Sequence, residues 1–310
     1  METRKIGALT VSIVGIGCNN FGSRIDDRKS AEVVDAALEN GINFFDTADM
    51  YAGGRSEELL GRALRGRRSK AVIATKFAME MEGAGKGASP GYVRKACDAS
   101  LKRLGVDHID LYQQHVPDPG VSIAETLGAL SELVNTGKVR EIGCSNFSTE
   151  QLREAGVAST RLRGAQFVSV QNEYSLLHRE PEEDGVLAET EREGIAFLPF
   201  FPLKAGLLTG KFRKGKPIPD DTRVAKFERY KKLLTEDNLD RIEALAGFAK
   251  KHNRSLLELA ISWLLAHRTV ASVIAGASSS EQVRSNAAAA AWNLDATQLS
   301  QVDALLRANG

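Results

Sequence analysis

Four residues of complementary chemistry follow apolar runs in the first half of the chain: Asp46, Tyr51, Lys76 and His115. Tyrosine is a weak acid, with a reference pKa of about 10, and a nearby ammonium group favours the phenolate and lowers that pKa. A carboxylate can hold the ammonium in place, and an imidazole can orient a carbonyl oxygen. Reduction of a carbonyl by hydride requires a proton donor, because negative charge develops on the oxygen. The set therefore supplies the parts for carbonyl reduction by hydride without a metal.

The runs that precede these residues belong to a longer alternation of β-like and helical segments. The β-like runs lack strict alternation, as expected of strands that are buried on both faces of a parallel sheet. Eight of them are recognised: Ser12–Gly17, Ile42–Asp46, Ala71–Lys76, Ile109–Gln114, Val139–Cys144, Phe167–Gln171, Ile195–Phe200 and Ser272–Gly276. Helical patterns between them include Arg28–Asn40, Ser56–Leu64, Ser89–Arg103 and Ile123–Thr136. The economical fold is an α/β protein, a closed (β/α)8 TIM barrel, in which the strand ends bring the four residues to one face.

The alternation is interrupted once, between the seventh and eighth β-like runs. A stretch rich in Lys, Pro and Gly, Arg213–Asp221, predicts a surface loop. Helices are expected after it, at about Glu236–His252 and Leu256–His267. A long loop with extra helices between strands 7 and 8 is a candidate lid over a cofactor or substrate. The chain has no internal repeat or linker, which predicts a single barrel domain over residues 1–310.

The composition is typical of a soluble globular protein, with 43% hydrophobic and 26% charged residues and a net charge of +1. That balance gives no reason to expect nucleic acid or a membrane as a partner. No apolar run approaches the roughly 20 residues that span a bilayer. The segment Met1–Ser12 lacks an apolar signal core, so we expect a cytoplasmic protein. Cys18, Cys97 and Cys144 lack a CxxC spacing, which predicts reduced, buried thiols rather than a zinc site or disulfides.

Ordered motifs along most of the chain resemble the signature of the aldo-keto reductases. The matching segments are GINFFDTADMY at 41–51, IATK at 73–76, LKRLGVDHIDLYQQH at 101–115, IGCSNF at 142–147, VQNEYSL at 170–176, GLLTGK at 206–211 and IAGAS at 274–278. The resemblance implies a (β/α)8 barrel that binds NADPH in extended form without a Rossmann domain, in keeping with the lack of a GxGxxG fingerprint. It also implies that Asp46, Tyr51, Lys76 and His115 are the catalytic tetrad, with Tyr51 as the general acid.

The resemblance further implies which residues hold the nicotinamide end of the cofactor. Ser145, Asn146 and Gln171 would bind the carboxamide, because their side chains offer donors and acceptors. A second interpretation makes Ser145-Asn146 a cap for the next helix. Phe200 stands where many relatives stack a Tyr or Trp on the nicotinamide, so the apolar face is kept and a hydroxyl contact is lost. Leu203 belongs to the same predicted cofactor-binding set.

At the adenosine end the resemblance implies contacts from the last strand, the following helix and the long loop. Gly276, Ser278, Gln282 and Asn286 match the family segment, where free N–H groups and a helix dipole favour phosphate. Lys211 and Arg223 match positions that close over the pyrophosphate and ribose, with solvated surface charges as the alternative. Some relatives carry an arginine for the 2′-phosphate at the position of Gln282. Here Arg284 lies two residues further on.

Two other functional interpretations remain open at this point. Regulatory β subunits of voltage-gated potassium channels share this barrel and resemble the chain in the same motifs. A barrel for phosphorylated sugars without nicotinamide would leave the Tyr–Lys–Asp–His set unexplained. The expected partner is a small-molecule carbonyl substrate of unknown identity, and the sequence does not indicate an oligomeric state. Asn20, Met50, Phe77, Phe147 and residues 213–232 are candidates for the lining of its pocket.

Overall fold

Eight parallel strands form the centre of the computed structural model, which describes residues 1–220 and 222–308. An antiparallel hairpin of β1 (Thr3–Ile6) and β2 (Leu9–Ser12) precedes them. The eight strands are β3 (Val14–Gly17), β4 (Phe44–Asp46), β5 (Val72–Phe77), β6 (Ile109–Gln114), β7 (Val139–Ser145), β8 (Phe167–Gln171), β9 (Ala196–Phe197) and β10 (Val273–Gly276). They pair in the order β10-β3-β4-β5-β6-β7-β8-β9.

The barrel closes between β9 and the segment that leads into β10. Phe197 forms a parallel bridge with Val270. Its N–H donates to the carbonyl of Thr269 at 2.7 Å, and its own carbonyl accepts from Ala271 at 3.0 Å. The strands are buried almost throughout, as their unbroken apolar runs predict. The predicted (β/α)8 TIM barrel is thus confirmed.

Every predicted strand end except Phe200 lies within two residues of the observed one, and two of the differences have a structural explanation. Ser12 belongs to the hairpin strand β2, so the first barrel strand begins at Val14. The seventh run was expected to extend to Phe200, but regular pairing ends at Phe197. Pro199 lacks the N–H that would continue the ladder. Beyond it, Phe200 forms only an isolated bridge with Glu173.

The helices connect the strands and cover the outside of the barrel. In chain order they are α1 (Asp27–Glu39), α2 (Arg55–Ala63), α3 (Pro90–Leu104), α4 (Ile123–Asn135), α5 (Thr149–Leu162), α6 (Glu180–Glu183), α7 (Val186–Glu193), α8 (Arg223–Lys226), α9 (Glu228–Lys231), α10 (Glu236–Lys251), α11 (Leu256–Leu265), α12 (Ser280–Ala288) and α13 (Ala296–Ala308). Each predicted helix is present, with its ends within two residues of the prediction.

The long insertion between β9 and β10 contains α8 to α11. It begins with a 3₁₀ turn at Lys204–Thr209 and continues through a loop without regular structure over residues 211–220. The predicted surface loop is therefore present from residue 213 to residue 220. Its last residue, Asp221, lies outside the described residues.

The N-terminal hairpin, which the sequence reasoning did not anticipate, packs into the apolar layer of the barrel interior. Ile6 and Val11 are fully buried in a cluster with Phe44, Leu111 and Leu198. The Arg4 guanidinium holds the hairpin in place by donating to the carbonyls of Leu265, His267 and Val270. The apolar layer leaves the opposite end of the barrel, where the strands finish, to polar side chains.

None of the helices in residues 1–220 and 222–308 combines the length and apolarity that crossing a membrane requires. Cys18, Cys97 and Cys144 are buried free thiols, as the sequence predicts.

Candidate active site

The four residues singled out for chemistry lie together at the carboxyl ends of three adjacent strands. Asp46 ends β4, Lys76 is the penultimate residue of β5, and His115 follows β6 directly. Tyr51 opens a 3₁₀ turn, Tyr51–Gly54, after β4. Lys76 is fully buried, Asp46 is 3% exposed, His115 is 9% exposed, and Tyr51 is half-buried.

Lys76 and Asp46 form a buried ion pair. Lys76 Nζ lies 2.6 Å from Asp46 Oδ2 and donates a second bond to the carbonyl of Thr47 at 2.9 Å. Burial alone would lower the pKa of Lys76. The carboxylate of Asp46, with a further contribution from Tyr51, outweighs that effect and raises the pKa, so the ammonium form is favoured.

The other oxygen of Asp46 is held by two glutamines from β6 and β8. Gln171 Nε2 donates to Asp46 Oδ1 at 3.0 Å, and Gln113 Nε2 donates to the same oxygen at 3.2 Å. Gly143 makes room for this layer, because a Cβ there would lie 2.4 Å from Ser169 Oγ and 3.3 Å from Gln113 Cγ. The carboxylate is therefore fixed on both sides. Sequence reasoning missed Gln113, although its position at the end of an apolar strand was a usable signal.

Tyr51 packs against both Lys76 and His115. Lys76 Nζ lies 5.3 Å from the centroid of the tyrosine ring, and the ring meets His115 edge-on at a centroid distance of 5.9 Å. Burial raises the pKa of Tyr51 above 10, while Lys76 acts to lower it. The expectation that the ammonium depresses the pKa thus holds for the contribution of Lys76. The effect of burial is the larger of the two, so the net shift of the Tyr51 pKa is upward.

His115 is a neutral imidazole. Burial, with a smaller contribution from the charge of Lys76, lowers its pKa to about 3. Its backbone N–H donates to the carbonyl of Phe77 at 2.8 Å, which fixes the residue beside β5. Its Nδ1 is buried and has no hydrogen-bond partner within the described part of the chain. At neutral pH the side chain can orient an oxygen by hydrogen bonding without carrying a charge.

The residues expected at a nicotinamide carboxamide lie next to this group. Ser145 Oγ donates to the carbonyl of Gln171 at 2.6 Å, and Asn146 Nδ2 donates to the carbonyl of His115 at 3.0 Å. The interpretation of Ser145-Asn146 as a helix cap is wrong, because Ser148 caps α5 in a capping box with Gln151. Asn146 instead has a left-handed backbone, with φ of 59°, and an exposed side chain.

The remaining nicotinamide-end positions lie beyond β9. Phe200 is half-buried and meets Phe201 edge-on at 5.7 Å. Leu203 lies three residues after Phe200, directly before the 3₁₀ turn. Its side chain is partly buried and packs against the core. Two other residues considered for the pocket lining belong to the core instead. Phe77 is fully buried against Tyr112, and Phe147 is 1% exposed against Phe167.

The residues expected at the adenosine end gather around the end of β10. Arg223 Nη2 donates to Asn20 Oδ1 at 2.7 Å and to Asn19 Oδ1 at 3.1 Å, and Gly276 lies beside all three side chains. Burial, together with the charges of Arg24 and Arg229, lowers the pKa of Arg223. Within residues 1–220 and 222–308, Arg223 has no ion pair with a carboxylate.

The helix after β10 contributes the other predicted contacts. Gln282 Oε1 accepts from the Ser278 N–H at 2.9 Å and from its hydroxyl at 3.2 Å, and Asn286 is buried in the same helix. Lys211 is exposed at the start of the loop over residues 211–220. The set of donors fits an extended dinucleotide. Side-chain amides lie at the end next to the tetrad, and a guanidinium lies at the other end. Among the described residues, the side-chain partners of that guanidinium are neutral amides.

Residues 13–307 match the model of the Aldo/keto reductase family. A probable voltage-gated potassium channel subunit beta from Arabidopsis thaliana is 35% identical over 297 residues, which cover 92% of this chain and 90% of that protein. The L-glyceraldehyde 3-phosphate reductase of Escherichia coli (strain K12) is 34% identical over 282 residues, covering 86% of this chain and 80% of that protein.

The solved structure of the aldo-keto reductase AKR11C1 from Bacillus halodurans, in its holo form, superposes with a TM-score of 0.78. It is 33% identical, and the match covers 98% of this chain and 96% of that one. The family model and these relatives each span most of the sequence, and oxidoreductases are among them. The chain belongs to the aldo/keto reductase family.

Proposed function

We propose that this protein is an NADPH-dependent oxidoreductase that reduces aldehydes or ketones to alcohols, with Tyr51 as the proton donor. The observation that carries the proposal is the buried Lys76–Asp46 pair, which lies against Tyr51 beside a neutral His115. The nicotinamide cofactor supplies the hydride when it is bound.

The tetrad would divide the remaining work among its four side chains. Tyr51 Oη gives its proton to the substrate oxygen as negative charge develops there. Lys76 stabilises the phenolate that this step leaves, and Asp46 keeps Lys76 charged and in position. His115 holds the carbonyl oxygen through a hydrogen bond, since its lowered pKa keeps the imidazole neutral across the working range.

Ser145, Asn146 and Gln171 would hold the carboxamide of the cofactor, with Phe200 and Leu203 against its apolar surfaces. Lys211 would close over the pyrophosphate and Arg223 would reach the 2′-phosphate, which NADPH has and NADH lacks, while Gly276, Ser278, Gln282 and Asn286 would take the adenosine end. The preference for NADPH is supported by Arg223, a half-buried guanidinium whose partners among the described residues are neutral amides. A charge of this kind is well suited to a phosphate.

A second candidate function is a cofactor-binding regulatory subunit, and it is favoured by the 35% identity to a probable potassium channel subunit beta. The two functions differ in turnover. Loss of NADPH absorbance with a panel of aldehydes, ketones and sugars would establish the reductase. Absence of turnover with every carbonyl, together with co-purification of a channel protein, would establish the subunit instead.

A further inference from the structure

A second polar cluster is buried behind the tetrad, outside the barrel, between β5 and helices α2 and α3. Its central residue is Asp49, two positions before Tyr51 and 1% exposed. The Asp49 N–H donates to the carbonyl of Lys76 at 3.1 Å, which ties this segment to β5. Both carboxyl oxygens of Asp49 are buried, and neither has a hydrogen-bond partner among the described residues.

A second carboxyl group in the cluster takes the available donors. Glu57, in α2, is fully buried, and its Oε1 accepts from Thr75 Oγ1 at 2.6 Å. Its Oε2 accepts from Arg103 Nε, also at 2.6 Å. Arg103 further donates to Ser100 Oγ at 3.2 Å. The single guanidinium is thus used by Glu57, and Asp49 is left without a counter-charge in contact.

The groups that act on Asp49 come from every element around it. Those that shift its pKa are Glu57 from α2, Arg103 from α3 and Lys76 from β5. Tyr92 from α3 and Tyr112 from β6 also face it, and a charge on Asp49 raises the pKa of both. Burial and then the charge of Glu57 raise the pKa of Asp49 to about 7, against smaller opposing effects of Arg103, Lys76 and the nearby Met50 N–H, which lies outside hydrogen-bonding geometry. A buried carboxylate without donors is costly, so the neutral acid is the form that fits this site.

The cluster is mechanically linked to the catalytic tyrosine. The turn that starts at Tyr51 has left-handed backbone at Ala52, Gly53 and Gly54, with φ of 50°, 62° and 89°. Arg103 packs directly on Gly54, where a Cβ would lie 2.6 Å from Arg103 Cδ. The segment 47–54 is therefore attached to β5 through the backbone of Asp49 and packed against α3 at Gly54.

We propose that Asp49 is a positioning residue, whose neutral form keeps Tyr51 against Lys76 and His115, and whose ionisation displaces the segment 47–54. The proposal rests on the proposed reductase function for its kinetic consequence. A charge that appears on Asp49 is relieved most cheaply by movement towards solvent, and Tyr51 lies only two residues away. A displacement of about 1 Å at a catalytic group can cost a hundredfold in rate.

The kinetic test measures kcat with saturating NADPH and aldehyde from about pH 5.5 to about pH 9. His115 ionises well below this window and Tyr51 above it, so neither contributes an inflection. We expect the wild-type rate to fall as the pH rises through about 7, whereas Asp49→Asn, neutral at every pH, stays flat. Asp98→Asn, an exposed position on α3, is the matched control and should keep the wild-type profile. A fall that persists in Asp49→Asn would overturn the proposal.

A second measurement does not depend on turnover. Hydrogen–deuterium exchange of a peptide that covers residues 47–54, corrected for intrinsic rates, should show protection at pH 6 that is lost at pH 8.5 in the wild type and retained in Asp49→Asn. If the protein reduces no carbonyl, the proposed function fails and exchange alone decides this proposal. If Asp49→Asn does not fold, Glu57→Gln serves instead, because removing that charge should move the midpoint to lower pH. An unmoved midpoint would reject the role of Asp49.

Discussion

Lys76 and Asp46 join neighbouring strands through an ion pair of 2.6 Å in which neither side chain is more than 4% exposed. Each charge stabilises the other, because either one alone would be a buried charge whose loss of hydration is not compensated. The amides of Gln113 and Gln171 complete the coordination of the carboxylate. The same pair places an ammonium group over the ring of Tyr51.

Removing one member of this pair should therefore destabilise the fold as well as lower the catalytic rate. We expect Lys76→Met to lower the free energy of unfolding by about 3–5 kcal/mol, because Asp46 keeps a buried charge without its cation. The double variant Asp46→Asn/Lys76→Met should cost less than the two single losses together. Urea unfolding of the four proteins measures this cycle. Additive losses would show that the pair is not coupled.

Phe200 should contribute more to cofactor binding than to the fold. Its side chain is half-buried, and its ring contact among the described residues is the edge of Phe201. We expect Phe200→Ala to weaken NADPH binding, measured by quenching of protein fluorescence, while the thermal midpoint changes little. Phe197→Ala is the control for a core ring, since removal of a fully buried phenylalanine costs about 3–5 kcal/mol. A collapse of the midpoint in Phe200→Ala with unchanged affinity would assign Phe200 to the core.

Arg223 should distinguish NADPH from NADH. A charged hydrogen bond lost from a phosphate site costs about 1.5–3 kcal/mol, or roughly tenfold to more than a hundredfold in affinity. We expect Arg223→Met to weaken NADPH binding by that factor and NADH binding much less. Arg161→Met, an exposed position on α5, is the matched control. Equal or tighter binding of NADH by the wild type would contradict the proposed preference.

Asp49 should also make stability depend on pH. Its pKa in the fold is about 7, against an ordinary value of 3.8, so the fold binds its proton more tightly than the unfolded chain does. Stability is therefore lost as the pH rises from about 4 to about 7. Asp49→Asn should be more stable than the wild type at pH 8, by about 4 kcal/mol at most at 1.36 kcal/mol per pKa unit. Urea midpoints at pH 4.5 and pH 8 test this, and an equal difference at both would rule it out.

The barrel was predictable because its signals are local. The barrel strands are short apolar runs, several of which end in or next to a polar residue. Glycines such as Gly41 and Gly137 end helices in the left-handed conformation that the structure shows. The end of β9 was not predicted well. The conformation of the proline-containing segment after Phe197 is set by the pairing that closes the barrel, rather than by the β propensity of its residues.

The candidate site likewise has one part that the sequence predicts and another part that it does not. The proximity of Asp46, Lys76 and His115 was predictable from the order of the strands, because parallel strands end at the same face of the barrel. The cluster of Asp49, Glu57 and Arg103 could not, because it depends on how α2 and α3 pack on the outside of β5. Phe77 was misjudged for a related reason. It alternates with Lys76 along β5 and so points to the helices rather than the pocket.

The central claim is that Tyr51 donates the proton, and single-turnover NADPH oxidation with saturating aldehyde tests it most directly. Tyr51→Phe removes only a hydroxyl, so the fold and the cofactor affinity should be retained while the rate falls by about 10²–10⁴-fold, the contribution of a well-placed general acid. Lys76→Met should lose a similar factor in its folded fraction, and the double variant should be little slower than either, because residues that act as one unit are not additive. Near-parental rates in Tyr51→Phe would contradict the assignment and favour the regulatory-subunit function.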